Sequence, residues 1–237
     1  MIEWLMNLEW DAIGQIIIID ILLGGDNAVI IALACRNLPP KHRRQGIIWG
    51  AAGAIILRVI LITVAVALLE VPFLKLVGGL LLLWIGIKLL APPEEEEGGP
   101  HGKVQASDKL LAAIKTIIIA DFVMSLDNVI AIAGAAEQAD PSQRTGLIIF
   151  GLLVSVPFIV FGSQIILKLL DRYPIIILLG GALLGWIAGG LMVTDPVAEP
   201  FVPQTDMIRY VASAAGAVFV VAVAKLLARR RHKPSGA

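Results

Sequence analysis

Cysteine is almost absent from this chain. Among 237 residues only Cys35 carries a thiol, which excludes an intramolecular disulfide and a thiolate-held metal cluster. Histidine is nearly as scarce. His42, His101 and His232 are the only three, and each falls outside the long apolar runs, so no imidazole ligand is available within them. Charged residues are 16% of the chain and cancel to a net charge of zero, a balance that points to no nucleic-acid partner. The region ahead of the first apolar run lacks a basic cluster and instead carries Glu3, Glu9 and Asp11. A cleavable signal peptide is therefore not expected, and the first apolar segment should stay in the mature protein.

What the chain has in excess is apolar length. Hydrophobic residues make up 58% and the mean hydropathy is +0.87, values of an integral membrane protein. About 20 apolar residues cross the hydrocarbon, and seven segments qualify, at roughly 12–35, 46–69, 73–91, 110–136, 146–170, 174–194 and 207–228. Helix-ending punctuation separates them: Asn37-Leu-Pro-Pro, Glu70-Val-Pro72, Pro92-Pro93, Asp140-Pro141, Tyr173-Pro174 and Asp195-Pro196. Ser107-Asp108 is the expected N-cap of the fourth segment. The expected fold is all-α, a polytopic membrane protein with seven transmembrane helices. With the N-terminus outside, cytoplasmic segments would hold fourteen of the nineteen lysines and arginines and the outside only Lys75, Arg144 and Arg209. Arg58 and Lys115 lie within spans, and the asymmetry predicts N-out, C-in.

One motif occurs twice. DILLGGDNAVIIA at 20–32 returns as DFVMSLDNVIAIA at 121–133, so that Asp20/Asp121, Asp26/Asp127 and Asn27/Asn128 share an offset of 101 residues. The same offset pairs Ile16–Ile18 with Ile117–Ile119, Arg43 with Arg144 and Gly50 with Gly151. One inserted residue later, Gly78-Gly79 meets Gly180-Gly181 and Trp84 meets Trp186. Each repeat holds three helices. Three is odd, so the second copy enters the membrane from the opposite side and the pair is expected to be inverted about an axis in the membrane plane. The expected organisation is residues 1–91 as the first repeat, 92–109 as a flexible cytoplasmic linker, 110–194 as the second repeat, and 195–237 as a seventh helix with a basic tail.

Carboxylates at mid-bilayer are expensive and mark ion pathways by default. In a continuous helix Asp20 and Asn27 share a face and Asp26 points elsewhere. A break at Gly24-Gly25 would redirect Asp26 and free backbone carbonyls for a cation. The inverted repeat would then set Asp20, Asp26 and Asn27 opposite Asp121, Asp127 and Asn128, an all-oxygen site suited to Mn²⁺, Mg²⁺ or Ca²⁺. Without metal such carboxylates cannot all stay ionised, which makes exchange of cation for proton the natural coupling. Other readings stand beside this one. The Asp-Asn pairs can cap half-helices, Asp20 or Asp26 can form a buried ion pair with Arg58, and Gly78, Gly79, Gly180 and Gly181 can serve close packing. Glu94 to Glu97 with His101 read as a solvated linker rather than a metal-sensing loop. The basic tail from Lys225 reads as an orientation signal, and the five tryptophans as interface or packing residues.

The motifs GGDNAVIIA and SLDNVIAIAG resemble those of the TerC family of integral membrane proteins, named for tellurium resistance, in its small bacterial branch without accessory cytoplasmic domains. The resemblance covers about residues 10 to 228. It implies a plasma-membrane exporter of manganese, related to the LysE-type exporters, with Asp20, Asp26, Asn27, Asp121, Asp127 and Asn128 as ion-binding positions; Gly24, Gly25, Ser125 and Arg58 are candidate supporting residues on the reading of the residues themselves. This departs from the pattern at one place: Ser125-Leu126 stands where the first copy has Gly24-Gly25, so the second helix need not break, and the Ser125 hydroxyl can contribute instead. The partners implied are a divalent cation as cargo, protons and the lipid bilayer, with no prosthetic group and a homo-oligomer left open. The chain is not expected to be an enzyme. The competing reading is a membrane scaffold that helps exported proteins mature, for which the duplicated deep Asp-Asn pair is unnecessary. An amino-acid exporter is a third, against which stands the single cation, Arg58, at depth.

Overall fold

Long apolar segments bounded by proline and glycine can satisfy their backbone groups in a bilayer only as helices, and helices are what form. The computed structural model describes residues 10–69, 71–91, 106–136 and 144–231. Among the described residues all regular structure is helical, in eight segments: α1 (Trp10–Leu23), α2 (Gly25–Cys35), α3 (Pro40–Leu69), α4 (Leu74–Leu90), α5 (Ala106–Ala136), α6 (Arg144–Arg172), α7 (Ile175–Val193) and α8 (Asp206–Arg231). The acidic linker with Glu94 to Glu97 and His101, the Asp140-Pro141 junction and the end of the basic tail lie outside the described residues. Large apolar side chains such as Leu22, Trp49, Phe161, Leu179 and Phe219 face outward, as on helices whose solvent is lipid. Among the described residues four helices are long and apolar enough to cross a membrane: α3 over Pro40–Val64, α6 over Thr145–Arg172, α7, and α8 over Asp206–Arg229. α1 and α2, bent by 47° at their junction, pass the same test when taken together, as a broken span or a re-entrant pair.

The ends follow local chemistry. Pro40 opens α3 at the first helical position, where its missing N–H costs nothing. Asp195, from the turn after α7, caps α4 by accepting from Phe73 N at 3.1 Å and Leu76 N at 3.0 Å. The expected cap of α5 falls two residues late. The helix is described from Ala106, so Ser107 and Asp108 already sit inside its first described turn, where a carboxylate faces the positive end of the helix dipole.

Packing brings the two copies of the repeat across each other. α3 lies along α5, while α6 lies along α1 and α2; α4 packs on α7, and α8 packs on α7. Glycines set the closest approaches. Gly50 abuts Ile117 and Gly151 abuts Ile16, so tightly that a side chain at either would displace its neighbour. Gly79 against Met192 and Gly181 against Leu90 form another such pair. Between α7 and α8 the backbones nearly touch, Gly185 against the carbonyl of Gly216 and Gly189 against that of Ala212. Beneath these crossings Ile13, Ile16, Leu147 and Leu152 form one buried cluster, and Ile30, Leu82, Val123 and Leu184 another.

Candidate functional site

The break in the first span lies where the glycine pair stands. α1 ends at Leu23, α2 begins at Gly25, and Gly24 donates its N–H to the Asp20 carbonyl at 2.7 Å. A side chain on Gly24 would collide with that carbonyl, whereas Gly25 has open space. The equivalent stretch of α5, with Ser125-Leu126, runs on as unbroken helix.

Upstream of the break, Asp20 meets Asp121 through one cation. Asp20, Arg58 and Asp121 are 1%, 2% and 4% exposed, so each charge depends on the others. Arg58 Nη1 donates to Asp20 Oδ1, and Nη2 donates to Asp121 Oδ1 at 2.6 Å. Nε donates to Ser125 Oγ at 3.1 Å, and that hydroxyl donates to Asp121 Oδ2 at 3.2 Å. Ser155, from α6, donates to Asp20 Oδ2. Every oxygen of the two carboxylates therefore has a partner, and four helices are tied together. Removing one member of such a buried ion pair costs about 3–5 kcal/mol in protein interiors. The ion-pair reading of the sequence holds for Asp20, and it extends to Asp121.

Downstream of the break the situation reverses. Asp26 Oδ1 and both Nδ2 and Oδ1 of Asn27 are buried without a hydrogen-bond partner; Asn27 is 4% exposed. Unpartnered buried polar atoms cost about 1–3 kcal/mol each, and native proteins keep few of them without a functional reason. Asp26 and Asn128 line a common cavity of about 380 Å³, walled by Met124, Trp186, Leu191 and the first turns of α8. So the first aspartates of the two motifs converge on Arg58, and Asp26 of one motif shares a cavity with Asn128 of the other. The side chain of Asp127 lies outside the described residues. Among the described residues no three of His, Cys, Asp and Glu gather as a metal cluster.

Sequence reasoning missed the α8 side of this cavity. Asp206, Arg209, Tyr210 and Ser213 of α8 line it, and α8 lies outside the repeat, with no motif to flag it. Trp186, read as a packing residue, lines the same cavity and stands 6.2 Å from the Tyr210 ring. Ser155 was missed because a single serine in an apolar helix gives no signal of its own.

A family model described as integral membrane protein TerC family matches residues 6–233. The chain is 41% identical over 203 residues to the uncharacterized membrane protein YjbE of Bacillus subtilis, covering 86% of this chain and 88% of YjbE. It is 26% identical over 172 residues to the uncharacterized membrane protein YceF of the same organism, covering 70% and 65% of the two chains. To the inner membrane protein YgdQ of Escherichia coli it is 28% identical over 180 residues, covering 70% and 73%. No solved structure matches the chain. With one family matched along nearly its whole length, this protein belongs to the TerC family of integral membrane proteins.

Proposed function

We propose that this protein exports divalent cations, Mn²⁺ foremost, across the plasma membrane by alternating access of two inverted three-helix repeats, in exchange for protons. The observation that carries the reading is the set of unpartnered oxygens, Asp26 Oδ1 and Asn27 Oδ1, buried at a helix break where Asp26 and Asn128 line one cavity. Carboxylate and amide oxygens suit a hard cation. A bent span is the usual way to aim backbone and side-chain oxygens at an ion in mid-membrane. The helix positions support seven spans, because α1 with α2 and the six helices after them fall on the seven apolar segments. Reciprocal contacts support the inverted repeat. Gly50 with Ile117 exchanges for Gly151 with Ile16, and Gly79 with Met192 for Gly181 with Leu90, as a two-fold relation between the halves requires. The cation asymmetry supports N-out, C-in. Mechanistically, protons would occupy the carboxylates when the ion leaves, since clustered buried charges repel and titrate together.

The paired triad alone would also serve a scaffold held together by buried charges. The weight therefore falls on Asp26 and Asn27, whose unpartnered atoms contribute nothing to helix association. The test is Mn²⁺ uptake into inside-out vesicles holding the purified protein, with lumenal pH read at the same time. Uptake abolished by Asp26→Asn and by Asp127→Asn, with both variants still inserted, is the expected result. Undiminished flux in either variant removes the site. No flux of any divalent cation from folded wild-type protein favours the scaffold.

A further inference from the structure

Arg58 has no counterpart in the second repeat, where Ile159 stands in its place and is buried as an apolar residue. The pseudo-symmetric halves thus supply two deep carboxylates, Asp20 and Asp121, and one cation between them. That cation consumes the pair. Both its terminal nitrogens and Nε are engaged, and the remaining carboxylate oxygens are held by Ser125 and Ser155. Asp26 stands two residues past Gly24, whose N–H bonds the Asp20 carbonyl at 2.7 Å, and its cavity is walled by Val123 and Met124, which lie between Asp121 and Ser125 of the Arg58 network. A dication held at Asp26 would therefore sit next to a fixed guanidinium in a medium that screens little.

From this geometry we infer that Arg58 is a tethered cation that competes with the transported ion. It is a positioning residue. In the ion-free protein it holds Asp20 and Asp121 closed, and its charge sets how tightly Asp26 and its neighbours grip the cargo. The inference rests on the cation-export reading and adds to it a specific device, a built-in competitor that keeps the ion from binding too tightly to leave. Removing the charge leaves two carboxylates uncompensated beside the ion, so binding tightens and release slows. Keeping the charge on a different side chain preserves the competition.

The experiment measures Mn²⁺ binding to the full-length protein purified in detergent, by titration calorimetry, for wild type, Arg58→Met, Arg58→Gln and Arg58→Lys. The neutral variants are expected to bind roughly tenfold tighter than wild type, within the range of ordinary site-to-site coupling, and Arg58→Lys to bind nearly as wild type does. Arg58→Gln keeps donors toward both carboxylates without the charge and carries the comparison should Arg58→Met not fold. Free guanidinium added to Arg58→Gln is expected to loosen Mn²⁺ again, beyond the effect of sodium at equal ionic strength. Neutral variants that fold and bind Mn²⁺ with wild-type or weaker affinity overturn the inference and leave Arg58 a structural tie. If wild type binds Mn²⁺, Asp26→Asn does not, and the Arg58 variants are unmoved, only this inference fails. A wild type that binds no divalent cation sinks the export reading, and the inference with it.

Discussion

Two aspartates of the same motif, six positions apart, have opposite environments. Asp20 has a partner for each oxygen and ties helices together, whereas Asp26 keeps an unpartnered oxygen beside a cavity. Asp195 shows a third use of the same side chain. It is fully buried and accepts from Phe73, Leu76 and Val197, whose N–H groups lie at 3.1, 3.0 and 2.9 Å. Burial works to raise its pKa, but the amides of Val197, Leu76, Phe73 and Lys75 more than reverse this and hold the carboxyl below its ordinary value. A depressed folded-state pKa adds stability that is fully present above the unfolded value and is lost as pH falls through the folded one. Asp195→Asn is expected to lower stability by about 1 kcal/mol, the scale of a helix cap. In pH-dependent thermal unfolding the gap to wild type should persist through neutral pH and close only below about pH 3.9, the ordinary carboxylate value. A gap that closes near neutral pH would contradict this assignment.

At the scale of helices, the apolar windows located the elements, and among the described residues the punctuation located ends to within a turn, as at Asn37-Leu-Pro-Pro between α2 and α3 and at Tyr173-Pro174 between α6 and α7. The break in the first span was legible because a glycine pair stands in mid-run. Which glycine matters was not legible, since two adjacent glycines read alike. The structure separates them: a Cβ on Gly24 would meet the Asp20 carbonyl, and one on Gly25 would meet nothing. Gly24→Ala should therefore destabilise the bend and, on the proposed export function, weaken Mn²⁺ uptake. Gly25→Ala should leave transport intact and change stability by no more than about 1 kcal/mol, the helix-propensity gain of alanine over glycine. Vesicle flux and melting of the two variants side by side test this, and equal losses would refute it. The unbroken course of α5 was likewise open in the sequence, where Ser125-Leu126 neither requires nor forbids a break. Its hydroxyl instead completes the Arg58 network. The tight joining of α7 to α8 through Gly185, Gly189 and Gly216 fixes the helix that has no mate in the repeat to the end of the second half, and so places Asp206, Tyr210 and Ser213 along the cavity.

Across the whole molecule, the internal repeat makes a prediction that no single element makes. If a two-fold relation governs the packing, mates should respond alike. Gly50→Leu and Gly151→Leu each force a side chain into an isoleucine of the opposite half, Ile117 or Ile16. Both should destabilise the purified protein by about 1–3 kcal/mol, the usual cost of overpacking, with similar shifts in melting temperature. One large loss beside one negligible loss would argue against the relation. The sequence by itself determined the membrane class, the all-helical course, the repeat and the six polar positions. These depend on composition, run length and offset, all of which are local or periodic. Only the tertiary structure decided that Asp20 and Asp121 are spent on Arg58 while Asp26 and Asn27 keep unpartnered atoms. Pairing of Asp20 and Asp121 through Arg58 depends on where α3 crosses α1 and α5. The cavity at Asp26 depends on a helix outside the repeat. Neither distance is written in spacing along the chain, because each arises from the packing of helices far apart in sequence.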